Sequence, residues 1–223
     1  MKATDLLADA HALLLDFDGP VCSVFAGSPA SMVADQLRGV LADGGHTDLP
    51  EAIATSTDPF DVFQYAATLG EDEARYVEAA FSAHEVEAIP TATPTLGAHE
   101  LIVAWHQSGR PLAIVSNNGV PAISAYLDLY DLRTSIDFVS ARDGSNAALL
   151  KPSPYLLHQA VTALDVAPGE SVFLGDSTSD IEAAQAAGVR SIGYANKPDK
   201  DSRLTAAGAD AITEVLTGLA AVT

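Results

Sequence analysis

Apolar residues in this chain occur in short runs that are separated by stretches with helical spacing. The runs predict five buried strands, at Leu13–Leu15, Pro111–Val115, Ile136–Ser140, Ser171–Leu174 and Val189–Tyr194. Helices are predicted before, between and after them, over Thr4–Ala10, Leu96–Gln107, Val120–Leu129, Ser153–Leu164 and Asp180–Ala187, and a weaker pair of elements follows at Leu204–Ala207 and Ile212–Leu219. This alternation predicts an α/β fold, in which a parallel sheet carries helices on both faces.

One long segment interrupts the alternation. Residues 20–92 contain no strand-like pattern, but helical patterns cover Pro29–Ala42 and Glu71–Ile89, and another begins at Asp58. Asp58 is predicted to cap its helix, with Pro59 in the first turn. The helix from Glu71 is expected to bury Ala74, Val77, Phe81 and Val86. We therefore predict a core formed by residues 1–19 and 93–223, and an inserted all-helical cap formed by residues 20–92.

The amino-acid composition excludes some classes of binding partner. The 30 acidic residues against 11 basic ones give a net charge of −19, which repels nucleic-acid phosphates and anionic membranes. The N-terminus lacks the pattern of a signal sequence, and no apolar run reaches the length of a membrane span. A single cysteine, Cys22, allows no internal disulfide and is expected to be a small buried side chain. The sequence thus predicts a cytoplasmic protein with neither a nucleic-acid nor a membrane partner.

Unusual polar residues cluster at the ends of the predicted strands and in the loops beyond them. The set comprises Asp16 and Asp18 after the first strand, Ser116 and Asn117 after the second, Lys151 before Pro152, and Asp176 and Asp180 after the fourth. Each of these residue types, taken alone, is more often structural: a serine in a turn, a lysine at the surface, an aspartate at a helix cap. Because loops after parallel strands meet at one edge of the sheet, we expect these side chains to converge there.

The order of these residues resembles the haloacid dehalogenase-like superfamily of phosphotransferases, over nearly the whole chain. The resemblance rests on four motifs: Asp16-Phe17-Asp18-Gly19, Ser116-Asn117-Asn118, Lys151-Pro152, and Gly175-Asp176 through Asp180. It implies a Rossmann-like three-layer core with a parallel sheet, in which residues 20–92 are the small helical cap of the family. It also implies Mg²⁺ as the cofactor, and four converging carboxylates need such a cation to offset their repulsion.

The resemblance also assigns roles to the residues. Asp16 would attack phosphorus to form an aspartyl-phosphate, and Asp18 would protonate the leaving oxygen and then activate water. Ser116 and Lys151 would contact the phosphoryl group, together with Asn117 and the backbone around Phe17. The predicted ligands of Mg²⁺ are Asp16, Asp18 through its backbone carbonyl, Asp176 and Asp180.

The substrate can be predicted only as a class. Asp18 favours phosphate-ester hydrolysis over dehalogenation, because only an oxygen leaving group needs its proton. The cap segment has only Arg38 and Arg75 as basic residues, which favours a small monophosphate, such as a sugar phosphate or phosphoglycolate, over a nucleotide. Cap residues that could contact it are Val21, Ser23, Phe25, Phe60, Phe63, Gln64 and Tyr65, with the aromatic ones expected mainly in the cap core. A phosphosugar mutase and a non-enzymatic binding protein of the same fold remain alternatives, as do a monomer and a homodimer.

Overall fold

The computed structural model describes residues 2–222, which form one six-stranded parallel sheet and one small two-stranded sheet. The strands are β1 (Ala12–Leu15), β2 (Cys22–Ser23), β3 (Thr93–Pro94), β4 (Leu112–Gly119), β5 (Phe138–Arg142), β6 (Ser171–Gly175), β7 (Arg190–Tyr194) and β8 (Ala211–Thr213). The large sheet has the order β5-β4-β1-β6-β7-β8, and each neighbouring pair is parallel. The predicted α/β fold is therefore confirmed.

Helices connect these strands and cover both faces of the sheet. They are α1 (Ala3–Asp9), α2 (Ala30–Asp43), α3 (Glu51–Ala54), α4 (Pro59–Leu69), α5 (Glu71–Ala88), α6 (Ala98–Gln107), α7 (Val120–Leu129), α8 (Tyr155–Ala163), α9 (Thr178–Ala187) and α10 (Lys200–Ala207). Short 3₁₀ turns occur at Ile89–Thr91, Arg133–Ser135, Ala147–Leu149, Pro168–Glu170 and Leu219–Val222. No helix within residues 2–222 combines the length and the apolar character that crossing a membrane requires.

Strand β1 lies in the middle of the sheet, between β4 and β6, and all four of its residues are buried. Successive side chains of a strand point to opposite faces. Leu13 and Leu15 accordingly pack in the core that contains Trp105, whereas Leu14 packs in the core that contains Phe173. Apolar packing on both faces fixes the position of the chain that follows, beginning with Asp16.

The segment between β2 and β3 is helical, as the sequence predicts, and consists of α2 to α5. Asp58 caps α4, since its Oδ1 accepts a hydrogen bond of 2.9 Å from the Phe60 N–H. The prediction that residues 20–92 contain no strand is wrong at β2, which pairs with β3 in antiparallel fashion. A strand of two residues is too short to produce an alternating pattern. The division into core and cap remains a prediction, and its terminal residues Met1 and Thr223 lie outside the described range.

Helix α5 differs from its predicted packing at one position. Ala74, Val77 and Phe81 are buried as expected, but Val86 is 37% exposed and Glu85 is fully buried in its place. Glu85 continues the spacing of three or four residues that defines the buried face of a helix. The prediction placed the valine inside because an acid is rarely buried unless it has a partner.

The sequence does not predict the short helix α3, and the remaining differences are at element ends. Strand β4 continues through Ser116 and Asn117 to Gly119 instead of ending at Val115. Helix α10 begins at Lys200, four residues before the predicted start at Leu204. The last predicted element is a strand of three residues, β8, followed by the 3₁₀ turn at Leu219–Val222.

Candidate active site

Polar residues at the carboxyl ends of β1, β4 and β6, together with Lys151 from the loop after β5, surround one cavity of about 230 Å³ at the carboxyl edge of the sheet. The predicted site residues that line it are Asp16, Asp18, Ser116, Asn117, Lys151, Asp176 and Asp180. Phe17 does not line it, because its buried ring packs edge-on against Tyr126 at a centroid distance of 5.2 Å. Only the backbone of Phe17 is left to reach the cavity.

Asp16 is held at the base of the cavity by the sheet. Its N–H donates to the Leu174 carbonyl at 2.9 Å and so extends the pairing of β1 with β6. The Oδ1 atom accepts from the Phe17 N–H at 2.7 Å and lies 2.8 Å from Lys151 Nζ. Burial, together with the nearby Asp180 carboxylate, raises the pKa of Asp16 to about 8 although Lys151 acts in the opposite direction. A charged Asp16 therefore needs more positive charge than Lys151 supplies.

Lys151 is buried between two carboxylates. Its Nζ lies 2.8 Å from Asp16 Oδ1 and 2.6 Å from Asp180 Oδ1, and it donates to the Val115 carbonyl at 3.1 Å. Burial alone would lower the pKa of Lys151, but the two carboxylates outweigh it and raise that pKa. The ammonium group consequently stays charged at neutral pH.

Asn117 fixes the backbone on either side of that lysine. Its Oδ1 accepts from the Lys151 N–H at 2.8 Å, and its Nδ2 donates to the Lys151 carbonyl at 3.1 Å. The peptide bond between Lys151 and Pro152 is cis. Both polar atoms of the Asn117 side chain are thus engaged in positioning Lys151.

Three carboxylates form a set that could hold a metal ion. Asp16, Asp176 and Asp180 each offer one oxygen, and these atoms lie within 4.8 Å of one another. Asp180 Oδ2 accepts from the N–H groups of Asp176 and Ser177, both at 3.0 Å, which fixes its orientation. A buried donor set made only of oxygen atoms fits Mg²⁺ better than a metal that prefers nitrogen or sulfur.

Asp176 is approached closely by the turn after β1. Gly19 has a φ of +111°, and a Cβ built on it would lie 2.4 Å from Asp176 Cγ. Glycine is therefore required here both for the backbone conformation and for the space. Asp176 Oδ2 is also bonded by Asn196 Nδ2 at 3.2 Å and paired with Lys200, a contact that the sequence did not indicate.

Asp18 lines the same cavity but is not one of the three clustered carboxylates. Its Oδ1 accepts from the Val24 N–H at 2.9 Å. Burial raises the pKa of Asp18 to about 6, with the Val24 hydrogen bond opposing the change. A carboxyl group with this pKa is present in both protonation states near neutral pH, as an acid–base catalyst requires. Cys22 is buried nearby, and burial raises the pKa of its thiol, which disfavours a thiolate nucleophile.

Ser116 is positioned by a network that the sequence did not predict. Its Oγ donates to Asn118 Oδ1 at 3.1 Å, and Asn118 Nδ2 donates to Glu85 Oε1 at 2.9 Å. Glu85 Oε2 accepts from the Gly119 N–H at 3.0 Å and pairs with the buried Arg142. Arg142 also pairs with Glu78 of α5, and its guanidinium lies 4.6 Å from the centre of the Phe81 ring. Helix α5 is thereby joined to the end of β4 that carries Ser116.

Two residues from the predicted cap complete the cavity, Asp58 and Phe60 at the start of α4. Phe60 also packs edge-on against Phe81 at a centroid distance of 4.9 Å. Phe63, in contrast, is buried among the helices, as expected for an aromatic residue of the cap core. The sequence indicated Asp58 as a helix cap but gave no sign that it faces the cavity.

A parallel α/β sheet with polar residues converging on a cavity at its carboxyl edge is the arrangement of a Rossmann-like fold with its ligand site at the strand ends. Residues 54–194, more than half of the chain, match the family described as haloacid dehalogenase-like hydrolase, and the chain belongs to that family. The match includes Ser116, Lys151, Asp176 and Asp180, whereas Asp16 and Asp18 precede it. The family resemblance drawn from the four motifs is confirmed.

Curated relatives are similar over part of their length. The phosphoglycolate phosphatase of Photobacterium profundum is 30% identical over 118 residues, which are 53% of this chain and 51% of that protein. The phosphoglycolate phosphatase of Escherichia coli is 33% identical over 104 residues, 47% of this chain and 38% of that protein. The matches therefore span about half or less of these relatives.

Solved structures are similar over nearly the whole fold. CbbY from Rhodobacter sphaeroides, determined in complex with phosphate, aligns with a TM-score of 0.66 and 21% identity. The alignment covers 94% of this chain and 96% of that chain. At this level of identity the likeness establishes the fold.

Proposed function

We propose that this protein is a Mg²⁺-dependent phosphatase that hydrolyses a small phosphomonoester, such as a sugar phosphate or phosphoglycolate, through an aspartyl-phosphate on Asp16. The observation that carries the proposal is the convergence of Asp16, Asp18, Ser116, Lys151 and the Asp176–Asp180 pair on one cavity. Phosphoglycolate phosphatases among the relatives support the substrate class. Metal-assisted attack by a carboxylate also accounts for so many buried acids in one place.

In the first step, a carboxylate oxygen of Asp16 bonds to phosphorus while the bond from phosphorus to the leaving oxygen breaks. Asp18 gives its proton to that leaving oxygen. In the second step, Asp18 takes a proton from water, and the water oxygen bonds to phosphorus while the bond from phosphorus to the Asp16 oxygen breaks. Inorganic phosphate leaves, and the Asp16 carboxylate is restored. The pKa of about 6 for Asp18 supports both duties, because neither protonation state is costly to reach.

The other residues stabilise the charge of the phosphoryl group. Ser116 Oγ would donate to one phosphoryl oxygen in exchange for its hydrogen bond to Asn118 Oδ1, and Lys151 Nζ supplies a buried positive charge beside Asp16. The backbone around Phe17 and the amide of Asn117 are further candidates for contact. Asn117 also keeps Lys151 in place through its two hydrogen bonds.

Mg²⁺ would be held by Asp16, Asp176, Asp180 and the backbone carbonyl of Asp18. When bound, the ion supplies positive charge that offsets the repulsion between the carboxylates and an anionic substrate. The close set of three carboxylates and the space left by Gly19 support this assignment.

We further propose that residues 20–92 act as the cap over a core made of residues 1–19 and 93–223. Asp58 and Phe60 reach the cavity from this segment. The cap excludes bulk water during attack and sets which leaving groups fit. The acidic surface and the site for a small anion support a cytoplasmic enzyme that acts on phosphorylated metabolites and not on nucleic acid or membranes.

Hydrolysis of para-nitrophenyl phosphate with and without Mg²⁺ tests the proposal. Turnover should require Mg²⁺ and should be lost in Asp16→Asn, whereas Asp9→Asn, on the exposed end of α1, should behave as the wild type. Equal turnover by the wild type and Asp16→Asn would refute the nucleophile. Mg²⁺-dependent thermal stabilisation without hydrolysis of any phosphate in a broad panel would favour the non-enzymatic alternative.

A further inference from the structure

The cap side of the cavity carries negative charge where the leaving group of a substrate would lie. Asp16, Lys151 and the other reacting residues form the core side, so a phosphoryl group bound there directs the rest of the substrate towards Asp58 and Phe60. A substrate must therefore be compatible with a carboxylate next to its leaving group.

The start of α4 could have bound an anion, but its first two positions offer no free donor. Helix N-termini attract anions through their free N–H groups and their dipole. Here Pro59 has no N–H, and the Phe60 N–H donates to Asp58 Oδ1 at 2.9 Å. The carboxylate of the protein itself thus occupies the position that a carboxylate or phosphate of the substrate would need.

Among the cavity-lining residues that the structure describes, no unpaired basic side chain offsets that charge, and Lys200, on the core side, is paired with Asp176. Among residues 2–222, Lys151 is the only basic residue that lines the cavity, and it is paired with Asp16 and Asp180. Of the two arginines in residues 20–92, Arg38 donates to the carbonyls of Ile53 and Ser56 at 3.0 Å and 2.9 Å and pairs with Asp35. Arg75 pairs with Asp72 at 2.7 Å. A second anionic group on the substrate would face Asp58 without a counter-ion.

We propose that Asp58 determines specificity by excluding substrates with a second anionic group. Of the two kinds of phosphomonoester proposed above, this favours a sugar phosphate over phosphoglycolate. The leaving group is uncharged and hydroxylated or carries an ammonium group, and phosphoglycolate and bisphosphates are poor substrates. Phe60 beside Asp58 presents an aromatic side chain, which suits the face of a polyol or an ammonium group. This inference rests on the proposed phosphatase function. It specifies the substrate class through repulsion of anionic leaving groups by Asp58 as well as through contact with Phe60.

Three small phosphates that differ in charge test the inference: phosphoethanolamine, glycerol phosphate and phosphoglycolate. Their kcat/KM values are compared for the wild type, Asp58→Asn and Asp61→Asn. Asparagine caps helices about as well as aspartate, so Asp58→Asn removes the charge and keeps the start of α4. Asp61 lies in the same first turn, accepts from Ser56 Oγ at 2.6 Å and does not line the cavity, which makes it the matched control.

The wild type should use phosphoglycolate about tenfold less efficiently than the other two phosphates, and Asp58→Asn should reduce that difference by about fivefold. Asp61→Asn should leave it unchanged. A wild type that prefers phosphoglycolate, or an unchanged ratio in Asp58→Asn, would overturn the inference while leaving the phosphatase function intact. If the wild type hydrolyses none of the three phosphates and no para-nitrophenyl phosphate, the proposed function is overturned, and this inference with it.

Discussion

Glu85→Ala should destabilise the protein strongly, because this carboxylate serves three buried donors. It accepts from the Gly119 N–H at 3.0 Å and from Asn118 Nδ2 at 2.9 Å, and it pairs with Arg142. Alanine leaves all three donors without this acceptor in a site closed to water. Arg142 keeps its second partner, Glu78, and its hydrogen bond of 3.1 Å from Nε to the Asn117 carbonyl.

The size of the effect follows from what remains unpaired. Removing one partner of a buried ion pair costs about 3–5 kcal/mol, and the surviving contact with Glu78 favours the lower end. For a chain of this length each kcal/mol lowers the melting temperature by about 2–4 °C. We therefore expect a decrease of about 6–20 °C in Glu85→Ala. Glu85→Gln should lie between this variant and the wild type, because an amide retains an acceptor but loses the charge.

Thermal unfolding followed by circular dichroism measures the effect, with Glu87→Ala as the matched control. Glu87 lies on the same helix, is exposed and pairs only with His84 on the surface, so its loss should cost less than about 0.5 kcal/mol. A destabilisation of about 3 kcal/mol should lower the melting temperature by at least about 6 °C. If Glu85→Ala instead melts within about 2 °C of Glu87→Ala, the buried network does not stabilise the fold as described.

Three further variants test the site. Asp18→Asn should lower turnover of para-nitrophenyl phosphate by about 10²- to 10⁴-fold. Mg²⁺ should still raise the melting temperature of this variant, because the backbone carbonyl of residue 18 remains as a ligand. Loss of that rise would argue against a purely catalytic role for the Asp18 side chain. Lys151→Met leaves two buried carboxylates without their ammonium partner, so Mg²⁺ should stabilise it more than the wild type, and equal shifts would contradict this. Gly19→Ala should weaken Mg²⁺ binding in calorimetry, because its Cβ would lie 2.4 Å from Asp176 Cγ; Gly109→Ala, which also has a positive φ but meets no atom within 4 Å, should bind Mg²⁺ normally.

The sequence reveals the sheet and the residues at its edge for a simple physical reason. Strands buried on both faces must be apolar, so an aspartate such as Asp16 directly after β1 is conspicuous. Because the strands are parallel, the residues after them gather at one edge, and Ser116, Lys151 and Asp176 could be placed beside Asp16 before any coordinates. Their chemical roles remain predictions that the variants above address.

What the sequence does not reveal depends on contacts between distant positions. An acid on an amphipathic helix is expected at the surface. The burial of Glu85 is made favourable by Arg142, 57 residues further along the chain, together with the donors of Asn118 and Gly119. Asp58 could be predicted as a cap from its neighbours, whereas its position on the cavity depends on how α4 packs over the sheet. The pairing of β2 with β3 joins two segments of two residues each, too short to leave a pattern.

That short antiparallel pair has a consequence for how the protein can change. It places the two ends of the helical insertion side by side, and the Thr95 hydrogen bonds to the Val21 and Gly19 carbonyls, at 3.0 Å and 2.6 Å, hold the returning chain against the turn after β1. An insertion whose ends already meet can gain, lose or exchange helices with little cost in chain entropy to the sheet. Changes in α2 to α4 would therefore alter the residues that this segment turns towards the cavity, such as Asp58 and Phe60, while the carboxylates at the edge of the sheet stay in place.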